Sequence, residues 1–267
     1  MSNHIPILMY HNVVETIQPE APDWIHVNSF KAQMEYILKE GFTPITPNLL
    51  LTKKELPKKP ILITFDDGYE GVYQLAFPVL KELNIKFTVF VISAFISEET
   101  NRKTNSWNFG WRPETYHLSK KMLVEMLESG LLTLGSHTHS HQMFKDISEQ
   151  EIEQEISSSL QFLKKEYHQD VTSFSYPGGY IGNEKTTYEI LKKHHIQLAF
   201  GGQIDQIENL DKINYFNIFR INITNDINFT SEKVKFRFEA LLNPFLNKLS
   251  KYNSLNFLLK FLLPKSK

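Results

Sequence analysis

Pro60-Ile61-Leu62-Ile63-Thr64-Phe65-Asp66-Asp67-Gly68 decides how the chain is read: an uncharged, mostly apolar run ends abruptly in two adjacent carboxylates and a glycine. Continuous rather than alternating apolarity suits a strand buried on both faces. Charge at the end of such a strand must be paired, hydrogen-bonded or bound to metal, and in parallel α/β folds active sites assemble at the C-terminal strand ends. Asp-Gly is also a common turn pair, so a plain turn stays open as a reading of these two residues alone.

The same β-then-α rhythm extends outward in both directions. Upstream, Ile5 to Tyr10 reads as strand, Ser29 to Glu40 as helix and Phe42 to Thr46 as extended. Downstream come helix Tyr69 to Leu83, strand Lys86 to Ile92, helix Ser119 to Ser129 and strand Leu131 to Gly135. A long helix is opened by Ser148 with Glu151 three residues on, a capping-box signature. Strand Val171 to Tyr176, helix Glu184 to His194, strand Gln197 to Phe200 and strand Asn217 to Ile223 complete the series. About seven β/α units in some 225 residues predict one deformed (β/α) barrel, placed at residues 1–229, with a C-terminal helical tail at 230–267.

Composition narrows the chemistry. The 267 residues are 41% hydrophobic, enough for a substantial core, and the formal charge of -1 gives no basic excess pointing to nucleic acid. With no Cys, disulfides, thiolate metal sites and a Cys nucleophile are excluded, and any metal must be held by His and carboxylates. Charge is uneven, however. From Lys233 to Lys267 there are eight basic residues against the single acid Glu239, and the chain ends in the apolar LNFLLKFLLPKSK. Such a tail suits an anionic membrane surface, while docking on the barrel or on a second copy is the alternative. Met1 to Tyr10 has no charged region followed by a long apolar one, so the expected location is the cytoplasm, on the inner face of its membrane if the tail binds lipid.

Gly135-Ser136-His137-Thr138-His139-Ser140-His141 again follows a strand. On one helical turn His137 and His141 would share a face and reach one ion, with His139 pointing elsewhere. Two His and one carboxylate leave coordination positions open, as catalytic rather than structural sites do. One Asp then ligates and its neighbour serves as base. The donors suit a divalent metal, zinc first, with Co, Ni or Mn as alternatives.

TFDDG at 64–68 with His-Thr-x-x-His at 137–141 resembles the polysaccharide deacetylases of carbohydrate esterase family 4, in style over roughly residues 5 to 223. The resemblance implies a deformed (β/α) barrel and removal of acetyl groups from sugars. By it Asp66 is the general base, and Asp67, His137 and His141 hold the metal. The family's Arg-x-Pro-Tyr-like motif reads Phe174-Ser175-Tyr176-Pro177-Gly178-Gly179 here, with Ser175 in place of Arg. That departure resembles the poly-N-acetylglucosamine deacetylase branch. Gly178 would supply an N–H to the oxyanion, unless the stretch is only a Pro-Gly-Gly turn. The late Leu-x-His is absent, and Leu8-Met9-Tyr10-His11 supplies a strand-end His in a permuted position, so His11 is expected as acid. Tyr176, Pro177, Trp111 and Arg220 are expected near substrate. Arg220 is also placed to pair with Asp66 in place of the lost arginine, and Trp107 and Trp111 could stack on sugar rings or simply pack their own long loop at 93–117. The implied activity is N-deacetylation of an acetamido sugar in a surface glycan or its lipid- or nucleotide-linked precursor. O-deacetylation, deformylation and a binding protein that has lost turnover are the rivals.

Overall fold

The computed structural model describes residues 4–52, 56–96, 103–104, 115–201, 208–225 and 242. Seven parallel strands dominate: β1 Ile7–Tyr10, β2 Pro60–Phe65, β3 Phe87–Val91, β4 Leu132–Ser136, β5 Ser173–Ser175, β6 Leu198–Phe200 and β7 Ile221–Asn222. They lie in the spatial order β6-β5-β4-β3-β2-β1-β7. A parallel bridge between Phe200 and Ile218, just ahead of β7, brings the last strand back to β6, so the sheet curls into the expected deformed barrel. Thr43–Pro44 adds a short parallel piece beside the start of β2.

Side-chain parity separates barrel interior from exterior. Ile7, Leu62, Phe90, Leu198 and Phe200 form one buried cluster, whereas their chain neighbours Leu8, Ile61, Ile63 and Val89 join a second cluster with the helices. Successive strand residues alternate faces, so the first set fills the barrel and the second packs outward. Gly135 belongs to the interior. A Cβ there would stand 2.3 Å from Phe90 Cδ1, so this glycine makes the room that the Phe90 ring occupies.

The helices α1 Val27–Lys39, α2 Phe77–Glu82, α3 Lys120–Glu128, α4 Glu149–Tyr167 and α5 Glu184–Lys193 alternate with these strands. Ser148 and Glu151 form the capping box expected of α4, satisfying backbone donors at both positions. The helix expected over 69–83 is instead a π-helical stretch Val72–Ala76 followed by α2. Pro78 explains the break: it lacks an N–H, and its ring crowds the carbonyl four residues back, so the preceding turn widens.

No described helix is long and apolar enough to cross a membrane. Trp107, Trp111 and nearly all of the 230–267 tail lie outside the described residues. Leu242, which is described, is buried in the cluster that packs outward from the barrel.

Candidate active site

Strand parity also builds the site. Asp66 follows Leu62 and Thr64, His137 follows Gly135, and His11 follows Ile7 and Met9, each two residues on along an inward-facing set. They meet at the C-terminal rim, where β1 and β2 pair from Ile7↔Leu62 to Tyr10↔Phe65. Asp67 leaves this register with φ +71° and joins the same cluster from the turn.

Asp67 Oδ1 lies 3.2 Å from His137 Nε2 and 3.6 Å from His141 Nε2. These three residues form a group whose ligand atoms all fall within 4.8 Å of one another. Two donors each about 2.0–2.1 Å from a tetrahedral ion stand roughly 3.3 Å apart, so the spacing fits a divalent ion. His137 Nδ1 donates to Ser175 O at 2.8 Å, which fixes the tautomer that turns Nε2 toward Asp67. Burial alone would raise the Asp67 carboxyl, but His137, His11 and His141 together pull it far below the usual carboxylate range. Burial likewise pushes His137 down, yet Asp66 and Asp67 outweigh it and the net direction is up.

Asp66 has different company. Arg220 Nη1 and Nη2 donate to its two carboxylate oxygens at 2.7 Å each, and Ser175 Oγ donates to Oδ2 at 3.0 Å. Burial opposes ionisation, but Arg220, His137 and His11 prevail and hold the carboxyl below its ordinary value. The guanidinium also donates to Gly201 O and Thr64 Oγ1 and lies over the Phe90 and Phe200 rings. Arg220 is 1% exposed, so the expectation that it faces substrate is corrected: its donors are committed to the barrel interior, and it takes the Asp66-pairing position.

Two further expectations are corrected. Tyr176 is 1% exposed and donates its hydroxyl to Phe216 O, while Pro177 beside it is buried, so both brace the loop rather than present a surface to a sugar. Residues 137–141 are not a helical turn: Thr138 and His141 take φ +68° and +63°, and the two imidazoles converge from a loop, their centroids 4.9 Å apart. His139 turns away as expected, its Nδ1 2.8 Å from Ser93 Oγ. Gly178 adopts φ +58°, where a Cβ would stand 2.8 Å from Met143 Sδ, so the turn needs glycine there.

With that geometry in place, comparison with known proteins is decisive. The family model for polysaccharide deacetylases matches residues 53–199. The chain belongs to this family. A poly-beta-1,6-N-acetyl-D-glucosamine N-deacetylase of Staphylococcus epidermidis is 33% identical over 208 residues, covering 74% of this chain and 67% of that protein. A Bacillus subtilis relative, 31% identical, is matched over 63% of its length, so the chain spans about two thirds of the curated relatives it matches. Among solved structures, a Streptococcus pyogenes deacetylase, PplD, in complex with acetate superposes with a TM-score of 0.70 at 26% identity, covering 84% of this chain and 94% of that one. IcaB from Ammonifex degensii gives 0.70 at 25% identity, over 90% and 97% of the two chains.

Three residues of this family member escaped the sequence reading. Asp23 Oδ2 lies 3.4 Å from His11 Nδ1, on the segment that leads into Trp24–His26, a short strand paired with Asn12–Val14. His117 is buried between Tyr69 and Phe95, with ring centroids at 4.9 and 5.0 Å, and burial pushes it down to about 4 although the Asp67 charge pulls the other way. Glu155 reaches the histidine loop from α4. Each arrives through tertiary packing from a stretch without a motif, so no local signal marked it. Ser175 did carry a signal, as the residue standing where the family places arginine.

Proposed function

We propose that the protein is a metal-dependent N-deacetylase of an acetamido sugar, with β-1,6-linked poly-N-acetylglucosamine or a related glycan as the substrate class. The observation that carries this is the division of labour between two adjacent aspartates: Asp67 beside His137 and His141, Asp66 held ionised by Arg220 without joining that trio. A binding protein has little use for the second arrangement.

Asp67, His137 and His141 would hold the ion, zinc first with Co, Ni or Mn as alternatives, and it would supply Lewis acidity toward the acetyl carbonyl and water. Asp66 takes a proton from the water as its oxygen bonds to the acetyl carbon. Gly178 N–H is the assigned donor to the oxyanion that develops. His11, whose Nδ1 lies 3.4 Å from Asp23 Oδ2, gives a proton to the sugar nitrogen as the C–N bond breaks, leaving acetate and a free amine. The S. epidermidis relative, by its name an enzyme of this substrate, supports the assignment.

The test is acetate release and appearance of free amine from β-1,6-linked N-acetylglucosamine oligomers with zinc- or cobalt-loaded protein, beside Asp66→Asn. Release by the wild type and its loss, by about 10²-fold or more, in the variant is expected. Acetate without amine from an O-acetylated sugar would redirect the reading to ester hydrolysis, and no release from either would overturn it.

A further inference from the structure

Two of the three metal-ligand candidates sit on the loop at residues 137–141, whose backbone is strained. A β-branched residue at positive φ persists only where its surroundings over-determine it, and Thr138 is such a residue at φ +68°. Within the loop, His141 N donates to Thr138 Oγ1 at 2.9 Å. From the end of β3, Ser93 N donates to Thr138 O at 3.2 Å and Ala94 N to His139 O at 2.9 Å.

The opposite side is held by one carboxylate. Glu155 Oε2 accepts from His139 N at 3.0 Å and Ser140 N at 2.7 Å, and Oε1 accepts from Ser140 Oγ at 2.6 Å. Charge-assisted bonds to two successive backbone amides are among the stronger ones a side chain can make. The platform that carries Glu155 is itself fixed. Ile152, Ile156 and Ser159 of α4 are buried, and Ser159 Oγ lies 2.8 Å from Ser136 Oγ, one residue before His137. Glu155 and Ser159 are one helical turn apart, so a single face of α4 grips both the end of β4 and the loop that follows.

We infer that Glu155 is a positioning residue of the metal centre. By gathering the two amides that follow Thr138 it holds the left-handed turn, and so sets the separation of the His137 and His141 imidazoles. The inference rests on reading Asp67, His137 and His141 as metal ligands. It makes metal affinity depend on a helix side chain that touches no ligand atom.

The experiment compares the full chain with Glu155→Ala and Glu155→Gln, reading zinc affinity by competition with a chromophoric chelator and the visible absorption bands of the cobalt-loaded protein. Glu155→Ala should weaken zinc binding by about 10- to 100-fold and shift the cobalt bands. Glu155→Gln keeps an oxygen for both amides and should recover most of the affinity. Wild-type affinity and an unchanged cobalt spectrum in Glu155→Ala would overturn the inference, as would equal impairment of the two variants. Should Glu155→Ala fail to fold, amide exchange in the metal-free wild type decides: slow exchange at His139 and Ser140 supports the inference, and exchange at free-peptide rates overturns it. A wild type that takes up neither zinc nor cobalt would overturn the deacetylase reading itself, and this inference with it. A metal-binding wild type beside an indifferent Glu155→Ala would overturn this inference alone.

Discussion

Asp66 and Asp67 are chain neighbours whose charges are met in different ways. Asp67 faces imidazoles and Asp66 faces a guanidinium, and on the proposed function that difference separates ligand from base. Removing the guanidinium leaves a buried carboxylate uncompensated, so Arg220→Met should destabilise the fold by about 3–5 kcal/mol. The sign of its pH effect follows from Asp66, whose carboxyl is lowered in the folded protein. Without Arg220 that carboxyl rises, and the acid limb of kcat/KM should move to higher pH; an unmoved limb would make the pairing irrelevant to the base. His11 is not one of the three candidate metal ligands among the described residues, and His11→Ala should therefore lower kcat by about 10²-fold while zinc content stays that of the wild type. Metal analysis beside single-turnover kinetics separates these outcomes.

Among the elements, β3 and β4 show how tightly the barrel interior is filled. Gly135 on β4 stands where a methyl group would overlap the Phe90 ring at 2.3 and 2.5 Å, and both belong to rigid strands paired from Leu132↔Phe87 to Ser136↔Val91. Gly135→Ala should cost about 1–3 kcal/mol or more by overpacking, measured as a lower denaturant midpoint at unchanged slope. Elements of this kind were legible in the sequence. The apolar run Pro60 to Phe65 is strand β2 residue for residue, Ser148 caps α4 as its spacing predicts, and inward parity carries from Leu62 and Thr64 to Asp66. The loop at 137–141 was not legible. Its candidate ligands stand out by their types and spacing, but its backbone is held by Glu155 and Ser93, which approach from elsewhere in the chain and leave no trace in the local pattern. Arg220 was half legible. Its partner could be named, whereas its burial over Phe90 and Phe200 depends on how the barrel closes.

For the molecule as a whole, the join between the N-terminal strand and the segment at 208–219 is expected to respond to pH. Ile5 pairs with Glu208 in a short antiparallel ladder, and the Glu208 carboxylate accepts from Phe219 N beside the Arg220 segment. Burial raises Glu208 to about 7, above its ordinary value near 4.5, and the bond from Phe219 only partly offsets this. A carboxyl raised on folding favours the folded state fully below the unfolded value, and that advantage is lost as pH rises from about 4.5 through about 7. Glu208→Gln should therefore melt higher than the wild type at pH 8, by on the order of 2–6 °C, with the gap closing toward pH 4.5. Thermal unfolding across that range checks the prediction, and a gap that does not change with pH would contradict it.

The Phe90 and Phe200 rings, 5.2 Å apart and tilted at 49°, carry the Arg220 guanidinium over their faces, and all three side chains are packed in the barrel interior beside Asp66. With the interior filled in this way, traffic to the histidine and aspartate cluster is expected at the C-terminal rim, in and out by the same mouth. A glycan would lie across that opening instead of threading it, so interior units of a polymer are as reachable as its ends. Acetate, leaving by the path on which the next acetamide arrives, should behave as a competitive inhibitor.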